Sequence, residues 1–554
     1  MMLTKAHPAP SKITTSPRTP ESLIPRPTRE KVTLWIILAA LIPLTLASAE
    51  HIEFDLRALG GGFGDVANLL ARMLPPEVND PPRVFELLLE TLMMALLGTV
   101  LATIISVPLA FLAAANTTPH PLVHRGARML ITMCRAVPDL VFAVLFVRAL
   151  GIGVLPGILA LGLHSVGMMA KLFADAIEQS EAGPREAVRA TGAGRMGELI
   201  MGVLPQVIPA WLGTFIYRID INLRTSVVLG FVGAGGIGFA LQDSLRGLMY
   251  ESAMGIVLII LVAIAAMEIA SIALRRTLLN PISAGPAPGM PDVSSALLPP
   301  WSGDRRTRTI AGFLLLGAII YSLIHLRINP LVPITSFGEL AAVFGRLFPP
   351  SISGAEELLL PAVVETLAIG LVATVIGALL AIPVGILAAS NISPARPIFA
   401  AARLLILVVR AIPELILAVV FVAAIGLGPM AGAMALAVGT IGFLGKLVAD
   451  SIEEIPVGPL EAVRAVGGNW WDQLCNAVIP QALPQLISHW MYMLDVNIRT
   501  STVLGVVGAG GIGFLLMESI RTLNFNLAGT IILLIFAIVF MIERISAWIR
   551  KHVA

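Results

Sequence analysis

Apolar residues fill long stretches of this sequence, and the polar residues are gathered into short intervals between them. Stretches of about 20 apolar residues without strand-like alternation predict membrane-spanning helices rather than a β-barrel. The predicted fold class is therefore all-α, a polytopic membrane protein of about 12 transmembrane helices. The predicted spans lie near 33–50, 86–115, 127–150, 152–178, 205–230, 251–274, 310–326, 361–389, 404–425, 429–452, 480–505 and 527–549.

These spans are two copies of one six-span unit. Residues 90–268 align on 365–543 without a gap, at a constant offset of 275, and 28 of the 54 positions in 186–239 match those in 461–514. Because six is an even number, both units enter the membrane from the same side and form parallel repeats. The chain divides into a disordered cytoplasmic tail, a first repeat, a cytoplasmic linker that is a simple tether, and a second repeat, at 1–30, 31–275, 276–309 and 310–554.

Composition supports a membrane protein and excludes several other classes. The chain is 57% hydrophobic and only 13% charged, with a mean hydropathy of +0.89, whereas soluble domains carry about 25% charged residues. A soluble enzyme, a nucleic-acid-binding protein and a disordered chain are excluded. Two cysteines are too few for a disulfide framework or a structural zinc site. Most of the 37 Lys and Arg residues fall on one side, which predicts a cell-membrane protein with both termini cytoplasmic.

Some segments admit two interpretations. Residues 31–49 combine a basic flank, an apolar run and Ala-Ser-Ala, as a signal peptide does. A similar apolar segment opens the second repeat at 310–326, where no signal could act, so a retained first span is favoured. The external segments 51–85 and 327–360 are either lateral helices that meet a binding protein or plain spacers.

A polar stretch after the fourth span of each repeat predicts a helical hairpin on the cytoplasmic membrane face. Residues 186–192 read Glu-Ala-Val-Arg-Ala-Thr-Gly and lead to Leu204-Pro205, and residues 461–467 read Glu-Ala-Val-Arg-Ala-Val-Gly and lead to Ile479-Pro480. The pattern indicates a short helix stopped by Gly, followed by a second amphipathic helix that ends at Pro. An ordinary interfacial helix is the alternative.

This stretch resembles, in both repeats, the signature loop of ABC-importer permeases, which reads Glu-Ala-Ala, then Gly six residues after the Glu, then Leu-Pro. The departures are Val188 and Val463 for the second Ala, and Gly202 and Ala477 in place of an apolar Ile. In that family the loop is the coupling helix, which docks in a cleft of the ATP-binding subunit. The resemblance implies ATPase coupling for Glu186, Ala187, Arg189, Gly192, Glu461, Ala462, Arg464 and Gly467.

A second motif resembles the phosphonate-importer permeases. Residues 220–226 read Asp-Ile-Asn-Leu-Arg-Thr-Ser and lead into Gly-Ala-Gly-Gly-Ile-Gly at 233–238, and the pattern recurs at 495–513. The resemblance implies the type I ABC importer transmembrane fold and import of phosphonate, phosphate or phosphite. Members usually pair as homodimers, so this fused chain is expected once per complex. The implied partners are the lipid bilayer, two ABC ATPase subunits that bind ATP and Mg, and an external binding protein. The chain itself is expected to need no cofactor and to be no enzyme.

Charges inside apolar spans are costly and point to function. Arg224 and Arg499 stand beside hydroxyl groups late in the fifth span of each repeat, and a guanidinium fork suits an oxyanion. Pairing with Asp220 and Asp495, four residues earlier on the same helix face, is the equally weighted alternative. The predicted translocation-path residues are Asn222, Arg224, Thr225, Ser226, Asn497, Arg499, Thr500 and Ser501.

Other charged residues are expected to have structural roles. The first set should cap or pair at the cytoplasmic start of the third span: Arg135, Asp139, Arg410 and Glu414. The second set should support the hairpins near a cytoplasmic helix end: Lys171, Asp175, Lys446 and Asp450. Three residues break the symmetry without a reason that the sequence gives, since His164, Arg148 and Arg218 correspond to Gly439, Ala423 and Met493.

Neither of two nucleotide-binding motifs predicts a nucleotide site in this sequence. Residues 233–238 satisfy G-x-G-x-x-G, but the βαβ context of dinucleotide binding is missing. The sequence has no P-loop, so the energy of transport must come from a partner.

A secondary transporter of a small anion is the main alternative function, since parallel six-span repeats also occur in secondary transporters. An intramembrane enzyme is disfavoured because no catalytic constellation is present.

Overall fold

The computed structural model describes residues 41–54, 64–65, 67–279, 303–329 and 332–553, and these residues form helices and no strands. The predicted tail 1–30 and the central part of the linker lie outside these ranges. The first repeat contains α1 Pro81–Ala113, α2 Pro121–Ala136, α3 Asp139–Leu150, α4 Val154–Glu178, α5 Ala182–Ala190, α6 Leu204–Gly230, α7 Ile237–Arg246 and α8 Tyr250–Leu279. The second contains α9 Gly303–His325, α10 Phe337–Arg346, α11 Glu356–Leu387, α12 Arg396–Ala411, α13 Glu414–Ile425, α14 Pro429–Glu453, α15 Val457–Ala465, α16 Ile479–Leu504, α17 Ile512–Arg521 and α18 Phe525–Val553.

The helices are long and apolar enough for a multi-pass membrane protein. Seven helices of the described part can cross a membrane, and the number rises to ten if each of three bent helix pairs is one span. The two remaining predicted spans open the repeats. The first is described only from residue 41 and is helical over 41–51. The second lies within α9, whose apolar part, Thr309–His325, is short.

The third span of each repeat is broken, where a continuous span was predicted. The helices α2 and α3 meet at 84°, and α12 and α13 meet at 86°. Pro138 and Pro413 stand at the breaks as the N-cap residues of α3 and α13. A proline has no backbone N–H and disfavours helical backbone in the preceding residue, so it ends the first helix although the apolar run continues.

Two other boundaries differ from the sequence-based prediction. The helix α8 continues to Leu279 and α9 begins at Gly303, so both ends of the predicted linker 276–309 are helical. In the external segments, residues 67–72 and α10 are short helices. These helices agree with the lateral-helix interpretation of the segments.

The two repeats have the same internal packing. The helices α1 and α4 lie against each other in the first repeat, as α11 and α14 do in the second. Gly167 lies in the middle of α4, where an added Cβ would stand 2.6 Å from the backbone nitrogen of Arg135. The equivalent distance at Gly442 is 2.8 Å, to the nitrogen of Arg410. Glycine at these two positions therefore lets the broken span approach its neighbour.

Candidate functional site: two surface hairpins and a charged central cavity

The predicted hairpins begin as short exposed helices, α5 and α15. Each ends at a glycine with positive φ, Gly192 at +80° and Gly467 at +82°, a backbone conformation that glycine adopts without strain. The chain then turns back towards the membrane. The predicted second amphipathic helix ending at Pro is wrong, because Pro205 and Pro480 stand in the first turns of α6 and α16. The segment before each proline runs directly into the fifth span through a short π-helix.

Equivalent hydrogen bonds fix both hairpins, but different residues donate them. In the first repeat Arg185 donates to Glu198 at 2.7 Å and to the carbonyl oxygen of Asn116 at 2.9 Å. In the second repeat Arg464, which is not the sequence equivalent of Arg185, donates to Gln473 at 2.9 Å and to the carbonyl oxygen of Asn391 at 3.0 Å. The base of each hairpin is thus held by an arginine at a repeated position in space.

In a second anchor, too, equivalent carbonyl oxygens of the two repeats are held by different side chains. Arg195 donates to the carbonyl oxygen of Thr117 at 2.6 Å, and Trp470, its counterpart, donates to the carbonyl oxygen of Ile392 at 2.7 Å. These four anchors leave the outer surface of the hairpins exposed.

All eight predicted coupling residues are exposed on the hairpins: Glu186, Ala187, Arg189, Gly192, Glu461, Ala462, Arg464 and Gly467. Arg189 lies 3.4 Å from Glu198, and Arg464 also forms the internal anchor described above. Large apolar side chains stand among these residues, with Met196 69%, Trp471 66% and Val466 84% exposed. An exposed surface that mixes apolar and charged groups suits a protein partner.

A cavity of about 710 Å³ lies between the two repeats, and both contribute charged side chains to it. Several ion pairs stand in or beside it, and four of them follow the repeat symmetry. Arg224 lies 3.1 Å from Asp220 and Arg499 lies 3.0 Å from Asp495, each within one helix. The other two join the repeats, with Arg135 bound to Glu543 and Arg410 bound to Glu268.

The expectation for Arg135, Asp139, Arg410 and Glu414 is wrong about their place. All four line the cavity, and Arg135 packs against Gly167, midway along α4, rather than near the cytoplasmic start of a span. The helix break explains the difference, because it places the end of α2 and the start of α3 in the middle of the bundle.

The second set lies partly on the cavity wall and partly at the hairpin end of the fourth span. Lys171, Lys446 and Asp450 belong to the cavity wall. Asp175 lies 3.5 Å from Arg128, and Asp450 lies 3.6 Å from Arg403, at the hairpin end of α4 and α14. Both aspartates therefore join the fourth span to the first half of the broken third span.

The predicted path residues separate into two groups. Arg224, Thr225, Arg499 and Thr500 line the cavity. Arg224 and Arg499 each line the cavity and also pair with an aspartate, so both interpretations of these arginines are correct. The Nε atoms of both arginines are buried without a hydrogen-bond acceptor, which leaves one donor of each guanidinium unsatisfied.

The other four predicted path residues are not on the cavity wall. Asn222 donates to Thr99 at 2.9 Å and accepts from Ser165 at 3.1 Å. Asn497 donates to Thr374 at 2.9 Å and to Thr440 at 3.0 Å. The hydroxyls of the two serines bond to backbone carbonyl oxygens. These residues join helices inside each repeat, and the serines are Ser226 and Ser501.

The cavity is closed at the end away from the hairpins. Val228, Val503 and Leu504 line that end, and Val228 and Val503 pack in one apolar cluster formed by both repeats. At the other end, Asp450 lines the cavity with a side chain that is 40% exposed. The cavity therefore opens towards the face that carries the hairpins.

The glycine run at 233–238 forms a tight turn rather than a nucleotide site. Gly233, Gly235 and Gly236 have positive φ. The turn starts α7, whose first amide, at Ile237, donates to the hydroxyl of Thr91 at 2.8 Å. In the second repeat Thr366 accepts from the amide of Ile512 at 2.7 Å.

Sequence reasoning missed the acidic partners of the cavity arginines. Glu268 and Glu543 stand at the ends of the aligned ranges 90–268 and 365–543, and the structure places each beside an arginine of the other repeat. The sequence contained a signal for these partners. A carboxylate that lies inside an apolar span and recurs at the repeat offset needs a partner such as a cation.

Comparisons with known proteins agree with the two-repeat architecture. The family model described as "Binding-protein-dependent transport system inner membrane component" matches twice, at residues 106–280 and 381–553. The chain is 58% identical to the phosphate-import permease protein PhnE of Mycolicibacterium smegmatis over 508 residues, which is 92% of this chain and 93% of that protein.

Shorter relatives match one repeat. The phosphite transport system permease protein PtxC of Stutzerimonas stutzeri is 45% identical over 222 residues, covering 40% of this chain and 81% of PtxC. Among solved structures, an inward-facing form of the MetNI methionine ABC transporter is 27% identical with a TM-score of 0.33, covering 36% of this chain and 96% of that one.

Proposed function

The chain belongs to the family of binding-protein-dependent transport system inner membrane components, and from this premise we propose that its substrate is a phosphorus oxyanion. It is the non-enzymatic permease of an ABC importer and a multi-pass inner membrane protein. Phosphate, phosphite and phosphonate are the candidate substrates. The names of the relatives support phosphate and phosphite. The observation that carries the proposal is the arginine-lined cavity between the repeats, because guanidinium groups bind tetrahedral oxyanions through several donors.

The hairpins are the proposed docking sites for the ATPases. The family implies an ATPase and a substrate-binding protein as partners. Because one chain contains two hairpins, a complex would hold a single copy of this chain and two ATPase subunits, which bind ATP and Mg. The exposed apolar side chains around Gly192 and Gly467 would enter the ATPase clefts.

This assignment also fixes the proposed orientation. The hairpins face the cytoplasm, so both termini are cytoplasmic and the cavity of this structure opens inward. The apolar closure around Val228 and Val503 is then the external gate. ATP binding would draw the hairpins together and open that gate, the binding protein would deliver the anion, and hydrolysis would return the permease to the inward-open form.

The ion pairs between the repeats are proposed to hold the inward-open form. Arg135 with Glu543 and Arg410 with Glu268 are related by the repeat and link opposite sides of the cavity. Their side chains are partly buried, with 17–29% exposure, so the removal of one partner would cost more than it does in a fully exposed pair. Movement of one repeat against the other would change both pairs together.

Reconstitution tests the proposal. Proteoliposomes that contain the chain, its ATPase and ATP, with loaded binding protein outside, should accumulate ³²P-phosphate, and omission of ATP should abolish the uptake. Uptake driven by an ion gradient in liposomes without the ATPase would instead establish the secondary transporter. A variant pair that shortens each coupling helix to a glycine-serine linker should remove uptake while the purified chain stays folded.

A further inference from the structure

The two walls of the cavity are not equivalent, although the repeats are. Three positively charged or titratable residues of the first repeat have neutral counterparts in the second. Arg148 lies at the end of α3 and contacts the carbonyl oxygen of Ile520 at 3.4 Å. His164 and Arg218 line the cavity. The asymmetry of the cavity is therefore confined to these last two positions and their surroundings.

Arg218 is a buried cation that the protein holds by hydrogen bonds to neutral groups. It is 4% exposed. Its Nε donates to Ser165 at 2.8 Å, and Nη1 contacts the sulfur of Met168 at 3.3 Å. Among the described residues it forms no ion pair with a carboxylate. Buried charges are normally paired, so this arrangement points to an anion that is supplied from the cavity.

The hydrogen bonds behind Arg218 make it rigid. Ser165 accepts from Arg218 and donates to Asn222, which in turn donates to Thr99 at 2.9 Å. His164 precedes Ser165 in α4, and its Nδ1 lies 3.1 Å from the carbonyl oxygen of Val137, within hydrogen-bond distance. Because a carbonyl oxygen only accepts, Nδ1 carries the proton and Nε2 is left for another contact.

The second-repeat wall has the opposite character at the equivalent place. Met493 replaces Arg218 and is 1% exposed. Gly439 replaces His164, and the side chain of Glu414 covers it, with Cγ 3.2 Å from where a Cβ would stand. In the first repeat the matching carboxylate, Asp139, turns back and accepts from the amide of Leu140 at 2.8 Å. At this place the second repeat presents a carboxylate and no added cation, so an anion is held better by the first-repeat wall.

We propose that the transported oxyanion is held off the repeat axis, at a single subsite on the first-repeat wall where Arg218 binds it and His164 contacts it. The inference rests on the proposed function. It also specifies the role of the fused chain, since two identical subunits would present this subsite twice or not at all.

The test uses the complete complex. It replaces Arg218 and Arg148 by the residues at the equivalent positions of the second repeat, methionine and alanine. Arg218→Met should lower the maximal rate of ³²P-phosphate uptake, at saturating loaded binding protein, by about tenfold or more, because a charge-assisted contact is lost. Arg148→Ala is the matched control, since it removes a cation of the same repeat outside the cavity, and its rate should stay within about twofold of the unmodified complex.

A second readout reports binding directly. The permease–ATPase complex without binding protein should broaden the ³¹P resonance of inorganic phosphate, and Arg218→Met should remove most of this broadening while Arg148→Ala retains it. If the Met variant does not assemble, Arg218→Gln replaces it in both measurements, because glutamine is neutral and can still bond to Ser165. Uptake and broadening unchanged in the variants at 218 would overturn the subsite. Absence of ATP-dependent uptake in the unmodified complex would overturn the proposed function instead.

Discussion

Asn497 provides the sharpest separation between a structural and a transport role. It is 1% exposed and lies among three helices of the second repeat, where it donates to Thr374 and Thr440. The substitution Asn497→Leu keeps the number and branching of the side-chain heavy atoms and removes these hydrogen bonds. We expect a loss of unfolding free energy and no loss of uptake per folded molecule.

The size of the effect follows from the partners. Interhelical hydrogen bonds in membranes average about 0.6 kcal/mol each, so two bonds amount to about 1 kcal/mol. The hydroxyls of Thr374 and Thr440 are not orphaned by the change, because they donate to the carbonyl oxygens of Gly370 at 2.6 Å and Leu436 at 2.8 Å. The larger penalty for a buried unsatisfied group therefore does not apply.

Reversible unfolding in mixed micelles with increasing SDS measures this change, and ATP-dependent ³²P-phosphate uptake is normalised to folded protein. Asn222→Leu makes the same change in the first repeat and should lose more, because the buried hydroxyl of Ser165 donates to Asn222 and would lose that acceptor. A tenfold fall in normalised uptake with unchanged stability would refute the reasoning and return Asn497 to the translocation path.

Three further outcomes are expected. Gly467→Ala, at φ +82°, should strain the hairpin by about 1 kcal/mol and weaken ATPase co-purification, whereas Gly458→Ala, in the helix before it, should not. Glu268→Gln should lower the stability in the SDS titration more than Glu543→Gln, since Glu268 faces two guanidinium groups and Glu543 one; equal losses would contradict this. Thr366→Val should cost about 1–3 kcal/mol in the same titration, because it orphans a buried amide at a helix start.

The fold was largely predictable because its signals are local and doubled. Apolar runs give the spans, and the offset of 275 gives the symmetry. The exposed hairpin helices were predictable from short polar motifs that end at Gly192 and Gly467. The helix breaks were not, since the apolar run passes through Pro138 without interruption, and a proline inside a membrane helix often only kinks it.

The cavity wall was only partly predictable, for a geometric reason. Arg224 and Thr225 face the cavity, whereas Asn222 and Ser226 face the neighbouring helices. The last two are four residues apart and share one face of α6, so helical periodicity contained this division, although adjacency in sequence hid it. The place of Arg135 required knowledge of the break, which is a property of the tertiary packing.

The two hairpin anchors have a practical meaning for experiments on this transporter. Arg185 and Arg464 hold repeat-equivalent carbonyl and side-chain partners from different sequence positions, and Arg195 and Trp470 hold repeat-equivalent carbonyl oxygens with different chemistry. In a permease made of two identical subunits, every substitution is made twice and changes both hairpins. Here each codon change alters one hairpin alone, so the two hairpins can be weakened separately and the contribution of each to a transport cycle measured one at a time.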